Sequence, residues 1–393
     1  MESLKKDMYN ELHSILMYWE SNMQDNLNGG FIGTINHNNI KDFSADKGSV
    51  LNARILWAFS AAYPVTKSEV HLKVAQRAFN YIADNFYDQV NGGIFWSLHA
   101  DGTPKDTKNQ IYALAFTIYG LSEYYAATHN NGALQLAIAL YEKIEKHSFD
   151  SINKGYFEAL TRTWQPIDDL RLSDKDANEK KTMNTHLHIA EGYANLYRVW
   201  PDDGLRKVTA QLLHTINDHF VDTKTGHLHL FFNEEWVEKP DAISYGHDIE
   251  AAWLLQWCAE VIDDDALITI YKKEAITMAD ATFEGIDPED GGLWYEFDPH
   301  NDKLIAEKHW WPQSELLIGM INAWQLTGDE KYLDAAKINW QFVKQYILDR
   351  DNGEWIWGVD DSYTPMAKDK AGFWKCPYHN SRACIELLRR LSN

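Results

Sequence analysis

The chain has 393 residues, 45% of them hydrophobic, which is enough for a sizeable core and, by length alone, for two or three domains. Its 58 acidic residues outnumber 37 basic ones, and the net charge of −21 repels nucleic acid and anionic membrane surfaces. Three scattered cysteines (Cys258, Cys376 and Cys384) are too few for a disulfide framework, so a reduced, cytoplasmic setting is the expectation.

At the N-terminus, "MESLKKDMYNELHSILMYWESN" reads as an amphipathic helix and lacks the apolar run of a signal peptide. Further on, "IYALAFTIYGL" falls far short of the ~20 residues a membrane span requires. No membrane or nucleic-acid partner is therefore expected. The 16 tryptophans fit thick packing as well as flat surfaces for sugar rings.

One short pattern recurs along the chain: an acidic or Asn turn, a glycine, then aromatic or β-branched residues. It reads "NGGFIG" (28–33), "NGGIFW" (91–96), "NKGYFE" (153–158), "TGHLHLFF" (225–232), "DGGLWYEF" (290–297) and "NGEWIWGV" (352–359). The glycines at 30, 93, 155, 226, 292 and 353 are separated by 63, 62, 71, 66 and 61 residues. A near-constant period signals a repeated supersecondary unit.

Two helical patterns lie between successive glycine motifs. In 68–88, Val70, Val74, Phe79, Ile82 and Phe86 mark one face of an amphipathic helix. The next, 108–128, is apolar almost all round, as a helix buried on every side must be. This second, buried set begins near Asn52, Gln110, Asn184, Tyr245, Trp311 and Pro377. Six such hairpins predict an all-α (α/α)6 barrel of twelve main helices, with short β-hairpins or loops at one rim. It would form one domain over 1–393. An open superhelix of helix pairs is the alternative.

In a closed barrel the first turns of the six inner helices converge on one mouth. That mouth would gather Arg54, Tyr112, Asn184, His188, His247, Glu250, Trp311, Trp374 and His379. Histidine titrates near pH 6.5, so three of them from three units suit proton transfer. His188 with Glu191, and His247 with Glu250, are i,i+3 pairs in which a carboxylate can orient a ring. Plainer readings stand beside these. A single histidine at a helix start is commonly a packing residue, and His186 points away from His188. The tryptophans could simply pack the mouth, Arg54 could pair with an acid, and Glu250 and Glu315 could be buried ion-pair partners. Cys376 and His379 have an i,i+3 spacing, but Pro377 intervenes and no second ligand pair supports a zinc site. No metal and no cofactor are expected. No nucleotide-binding or serine-hydrolase motif is present.

The segments "NTHLHIAEGYANLYR", "SYGHDIEAAWLL" and "WKCPYHNSRACIE" closely resemble cellobiose 2-epimerases of the N-acylglucosamine 2-epimerase superfamily, with "LNARILWAFSA" and "IYGLSEYY" in support. The resemblance runs from the first glycine motif to the C-terminus and implies the six-hairpin α/α barrel. It also implies reversible C2 epimerisation of the reducing-end glucose of β-1,4-disaccharides, cellobiose to glucosyl-mannose and lactose to epilactose, without metal or nucleotide. Carried onto matching positions, His247 and His379 look like the acid/base pair and His188 the third catalytic histidine. Arg54 is a candidate donor to the anionic intermediate and, with Tyr112, Asp176, Asn184, Glu250, Trp311 and Trp374, a substrate contact. One departure is Gln313 in "WWPQSE", where related sequences tend to carry an acid. The rival readings are a superfamily isomerase acting on mannose or N-acylglucosamine, a glycoside hydrolase, and a sugar-binding protein without catalysis. A monomer or weak homodimer is expected.

Overall fold

A computed structural model describes residues 1–240 and 242–392. Among these described residues, twelve α-helices alternate between an outer and an inner set. The outer helices are α1 (Glu2–Asn22), α3 (Glu69–Tyr81), α5 (Asn131–His147), α7 (Asp203–His219), α9 (Asp265–Thr282) and α11 (Glu330–Phe342). The inner ones are α2 (Ser49–Thr66), α4 (Ile111–Thr128), α6 (Met183–Val199), α8 (Tyr245–Val261), α10 (Trp310–Thr327) and α12 (Tyr378–Arg390). Each inner helix packs on the next, and α12 packs back on α2, so the ring closes and the open superhelix is excluded. The architecture is the (α/α)6 fold.

Burial explains the two sets. In α4 every residue from Ile111 to Tyr124 is buried, because neighbours press on it from all sides. In α1 only a stripe is buried, including Leu4, Met8, Leu12, Ile15 and Trp19. Close approach within the inner ring has a sequence cause at Gly192. A Cβ there would lie 2.7 Å from the carbonyl oxygen of Ala115 on α4.

The glycine motifs form the links between outer and inner helices. In the third unit, Asp150 N–H donates to the Gly155 carbonyl oxygen at 2.9 Å, and Gly155 adopts φ +76°. A side chain at Gly155 would strain that backbone and meet the Trp236 ring. The strand before each inner helix then pairs with the following unit. Gly48 faces Ser97, Gln110 faces Ala159, Thr182 faces Phe231 and His309 faces Gly358. Single bridges Ile243–Phe297 and Ile35–Ala371 complete a second closed ring. These contacts put all six inner-helix N-termini at one rim.

A second repeating signal went unread in the sequence. Lys47, Lys181 and Lys308 each stand two residues before an inner helix and bind the aspartate that opens a glycine turn. Their partners are Asp25 at 2.8 Å, Asp150 at 2.9 Å and Asp287 at 2.7 Å. The junction between chain ends uses the same device in the deepest setting. Glu354 accepts from Trp19 Nε1 of α1, from Lys375 Nζ at 2.8 Å and from Asn380 Nδ2 of α12 at 2.6 Å. Both Lys375 and Glu354 side chains are fully buried. Removing one member of such a pair strands a charge in the core. We expect Lys375→Met to lower the unfolding free energy by about 3–5 kcal/mol in denaturant titrations. The exposed pair Lys331–Asp280 should matter by less than about 1 kcal/mol in the same assay.

Candidate active site

The rim where the inner helices begin holds the predicted residues; beneath them Glu250 and Glu315 are buried ion-pair partners, as the plainer reading has it, but their partner Arg382 was not foreseen. Arg382, on α12 and 1% exposed, is surrounded by three buried glutamates from three other inner helices. Its Nη1 donates to Glu191 Oε1 of α6 at 2.6 Å. Its Nη2 donates to Glu315 Oε1 of α10 at 2.8 Å and to Glu250 Oε1 of α8. Tyr378 OH adds a 2.6 Å bond to Glu191, and Trp253 Nε1 one of 3.1 Å to Glu315.

Two of these carboxylates each hold a histidine. His188 Nδ1 lies 2.9 Å from Glu191 Oε2, as the i,i+3 spacing predicted. His379 Nδ1 lies 2.6 Å from Glu315 Oε1. A hydrogen on Nδ1 donated to a carboxylate leaves Nε2 of each ring as the acceptor. The expected His247–Glu250 bond does not form. His247 Nδ1 bonds Ser244 Oγ at 2.8 Å instead, because Glu250 is drawn to Arg382 and stands 4.0 Å from His379 Nδ1.

Ring contacts join the other predicted residues. The Trp311 ring lies 4.8 Å from His247 and 5.6 Å from His379, centroid to centroid. Tyr112 meets His188 edge-on at 5.1 Å and Trp374 at 6.1 Å. Arg54 donates from Nη2 to Tyr112 OH at 2.7 Å and from Nη1 to Cys376 Sγ at 3.6 Å. The spacing of Cys376 and His379 is thus incidental, since the two side chains bind different partners.

His247, Asn184 and Asp176 share a cavity of ≈ 220 Å³ with Ser244, Tyr295 and Glu158. Asn184 Oδ1 is buried there and finds no hydrogen-bond partner among the described residues. His186, by contrast, is a packed histidine. Its Nδ1 bonds the Thr182 carbonyl oxygen and its Nε2 accepts from Tyr156 N–H. Gln313, the departure from the family pattern, donates to the Leu293 and His309 carbonyls and accepts from Leu293 N–H and Asn339 Nδ2. Its amide serves the scaffold, and a carboxylate could not supply the two donated bonds.

Burial sets the charge states. It lowers the pKa of His247 from 6.5 to about 4, with the Glu250 charge opposing. His379 is depressed well below the ordinary histidine value by burial and by Arg54 and Arg382, with Glu250 again opposing. Both imidazoles are therefore neutral at pH 7. Arg54 is 3% exposed and has no carboxylate within ion-pair distance among the described residues. Instead its guanidinium lies 4.1 Å from the Phe116 ring centroid. Such a cation is poised for negative charge that develops on a bound molecule. One ligand atom each from Glu250, Glu315 and His379 lies within 4.8 Å of the others, as in a metal site. Arg382 supplies positive charge to both carboxylates there, so these residues already form a satisfied ionic cluster.

The N-acylglucosamine 2-epimerase (GlcNAc 2-epimerase) family model matches residues 30–383. The chain belongs to this family. It is 47% identical to a cellobiose 2-epimerase of Bacteroides fragilis over 389 residues, 98% of this chain and 99% of the relative. The solved cellobiose 2-epimerase of Bacillus thermoamylovorans superposes with a TM-score of 0.93 at 37% identity, covering 99% of this chain and all of the other. A D-mannose isomerase superposes with a TM-score of 0.85 at 20% identity, covering 98% and 97% of the two chains, a likeness of fold. The protein is thus an isomerase, a carbohydrate 2-epimerase of the cellobiose 2-epimerase type. No helix among the described residues is long and apolar enough to cross a membrane.

The charge states are open to measurement. In an NMR pH titration of ring protons, His247 should titrate near pH 4, its neutral form persisting at every higher pH. A midpoint close to the unperturbed 6.5 would contradict the effect of burial on this ring.

Proposed function

We propose that the protein epimerises C2 of the reducing-end glucose of β-1,4-linked disaccharides, cellobiose to glucosyl-mannose and lactose to epilactose, within one barrel domain spanning residues 1–393. The observation that carries the reading is the pair of neutral imidazoles, His247 and His379, both packed against the Trp311 ring. An unpaired buried guanidinium, Arg54, shares the same mouth.

In the closed sugar ring the C2 hydrogen is not acidic. Ring opening frees an aldehyde at C1, and the C2 proton becomes α to a carbonyl. One histidine takes that proton through Nε2, and the bonding pair moves toward O1 to give an enediolate. Both rings start neutral, so the other histidine takes up a proton relayed from the first ring through solvent and returns it to the opposite face of C2 while the C1 carbonyl re-forms. The pair thus works with one proton between them. Glu250 opposes the effect of burial on both rings and favours whichever one carries the charge. A positioned acid or base contributes about 10²–10⁴ in rate.

The enediolate oxygens need donors fixed in advance. Arg54 is one, and the converging N-termini of the inner helices add positive potential. Glu191 and Glu315 orient His188 and His379 and are ion-paired with Arg382, whose single positive charge offsets part of the negative charge around it. Trp311 and Trp374 offer flat faces for the sugar units, and Asn184 and Asp176 offer polar contacts to their hydroxyls.

His379→Asn should fold with the wild-type circular dichroism spectrum and lose at least about 10² in kcat on cellobiose; half the wild-type rate would remove His379 from the chemistry. In heavy water, turnover of cellobiose should place deuterium at C2 of the product, read by NMR. Product in which C2 never acquires solvent deuterium would rule out exchange through the two histidines. Release of free glucose would instead indicate a hydrolase.

A further inference from the structure

Glu158 was not singled out by its sequence, and the proton transfers do not use it. It is fully buried yet lines the cavity that holds His247, Asn184 and Asp176. Both carboxylate oxygens are occupied by one short stretch of α6 and its cap. Thr182 Oγ1 donates to Oε2 at 2.7 Å, and Thr185 Oγ1 donates to Oε1 at 2.5 Å. Thr182 is also the N-cap of α6, its hydroxyl accepting from Thr185 N–H at 3.2 Å. Asn184 lies between the two threonines, and His188 follows within one turn.

The backbone of Glu158 completes the link. Its carbonyl accepts from Ile111 N–H at 3.0 Å, at the residue before Tyr112 on α4. Its own N–H donates to the Lys180 carbonyl at 3.1 Å, just ahead of α6. One residue therefore ties together the starts of two inner helices, one carrying Tyr112 and the other Asn184 and His188.

We infer that Glu158 is a positioning residue: its carboxylate clamps Thr182 and Thr185 and so holds Asn184 and His188 in register for the C2 chemistry, in a pH-dependent way. The inference rests on the epimerase reading above. As a carboxylate, Glu158 can only accept, and both hydroxyls donate to it. As an acid it must donate from one oxygen, and the threonine on that side has to turn its hydroxyl away. Thr182 would then have to accept from both Glu158 and Thr185 N–H, or Thr185 would have to accept from Glu158 and point its hydroxyl hydrogen elsewhere. Burial pushes the Glu158 carboxyl up to about 7, the two hydroxyl bonds opposing; Asp176 pushes it further up and Lys108 lowers it. Lys175, Arg171 and His247 line the same cavity. The switch thus falls in the neutral range.

The test compares wild type, Glu158→Gln, Thr185→Val and Thr185→Ser. In wild type, kcat/KM for cellobiose should rise with pH through about 7. Glu158→Gln should lose that rise and fall about 10–100-fold, more in kcat than through KM. Thr185→Val should show a similar loss, and Thr185→Ser, which restores the hydroxyl, should recover most of it. A Glu158→Gln enzyme with the wild-type rate and pH profile would overturn the inference. So would Thr185→Val and Thr185→Ser of equal activity, which keeps the test decisive if the glutamine variant does not fold.

Melting temperatures provide an arm independent of turnover. A carboxyl raised in the folded state stabilises the fold fully below the unfolded value, and this contribution is lost as pH rises through about 7. The melting temperature of wild type relative to Glu158→Gln should therefore fall between pH 5 and pH 8, and parallel curves would overturn the inference. If no sugar is epimerised while the curves diverge, the epimerase reading fails and the clamp stands.

Discussion

The site depends on one guanidinium held among three carboxylates. Arg382 sits where α6, α8, α10 and α12 face one another, and each of its three neighbours contributes one buried glutamate. Burying these charges separately would cost several kcal/mol per ion. Together they satisfy one another, and hydrogen bonds from Tyr378 and Trp253 take up further lone pairs. The cluster then acts as a floor. Glu191 keeps its second oxygen to orient His188, Glu315 orients His379 through the same oxygen that accepts from Arg382, and Glu250 remains close enough to influence His247 and His379 electrostatically.

That floor can exist only in a closed ring, because its members come from four helices far apart in sequence. The repeat closes the ring. Each unit supplies an outer helix, a glycine turn anchored by an aspartate, a short strand paired to the next unit, and an inner helix. The last joint is made by Glu354, which binds the first helix through Trp19 and the last through Asn380. Lys375 neutralises it and is flanked by Trp374 at the mouth and by Cys376 beneath Arg54. Closing the fold and forming the mouth are thus tasks of the same few residues.

Much of this was legible in the sequence because it is periodic or local. Six glycine turns at a steady interval gave the number of units, and the all-round apolarity of "IYALAFTIYGL" gave the inner position of α4. The His188–Glu191 pair followed from helical spacing. Non-local pairings were hidden. His247 and Glu250 have the same spacing, yet Glu250 turns to Arg382, which lies 132 residues away. Arg382 lies in the quoted segment "WKCPYHNSRACIE", but nothing local marked it as a centre of charge. The available signal was compositional: Glu191, Glu250, Glu315 and Arg382 stand among the buried residues of inner helices. Glu158 was hidden because its partners lie beyond a long connecting segment, and the lysines before α2, α6 and α10 because their aspartate partners lie in turns that were read only for their glycines.

The central claim is that this arrangement places two neutral imidazoles on opposite faces of C2. The most direct measurement is a crystal structure with the open-chain alditol of cellobiose bound. The account predicts C2 between His247 Nε2 and His379 Nε2, each about 3–3.5 Å away and on opposite faces, with Arg54 on the O1–O2 side. Both imidazoles on one face of C2, or C2 remote from either, would contradict it.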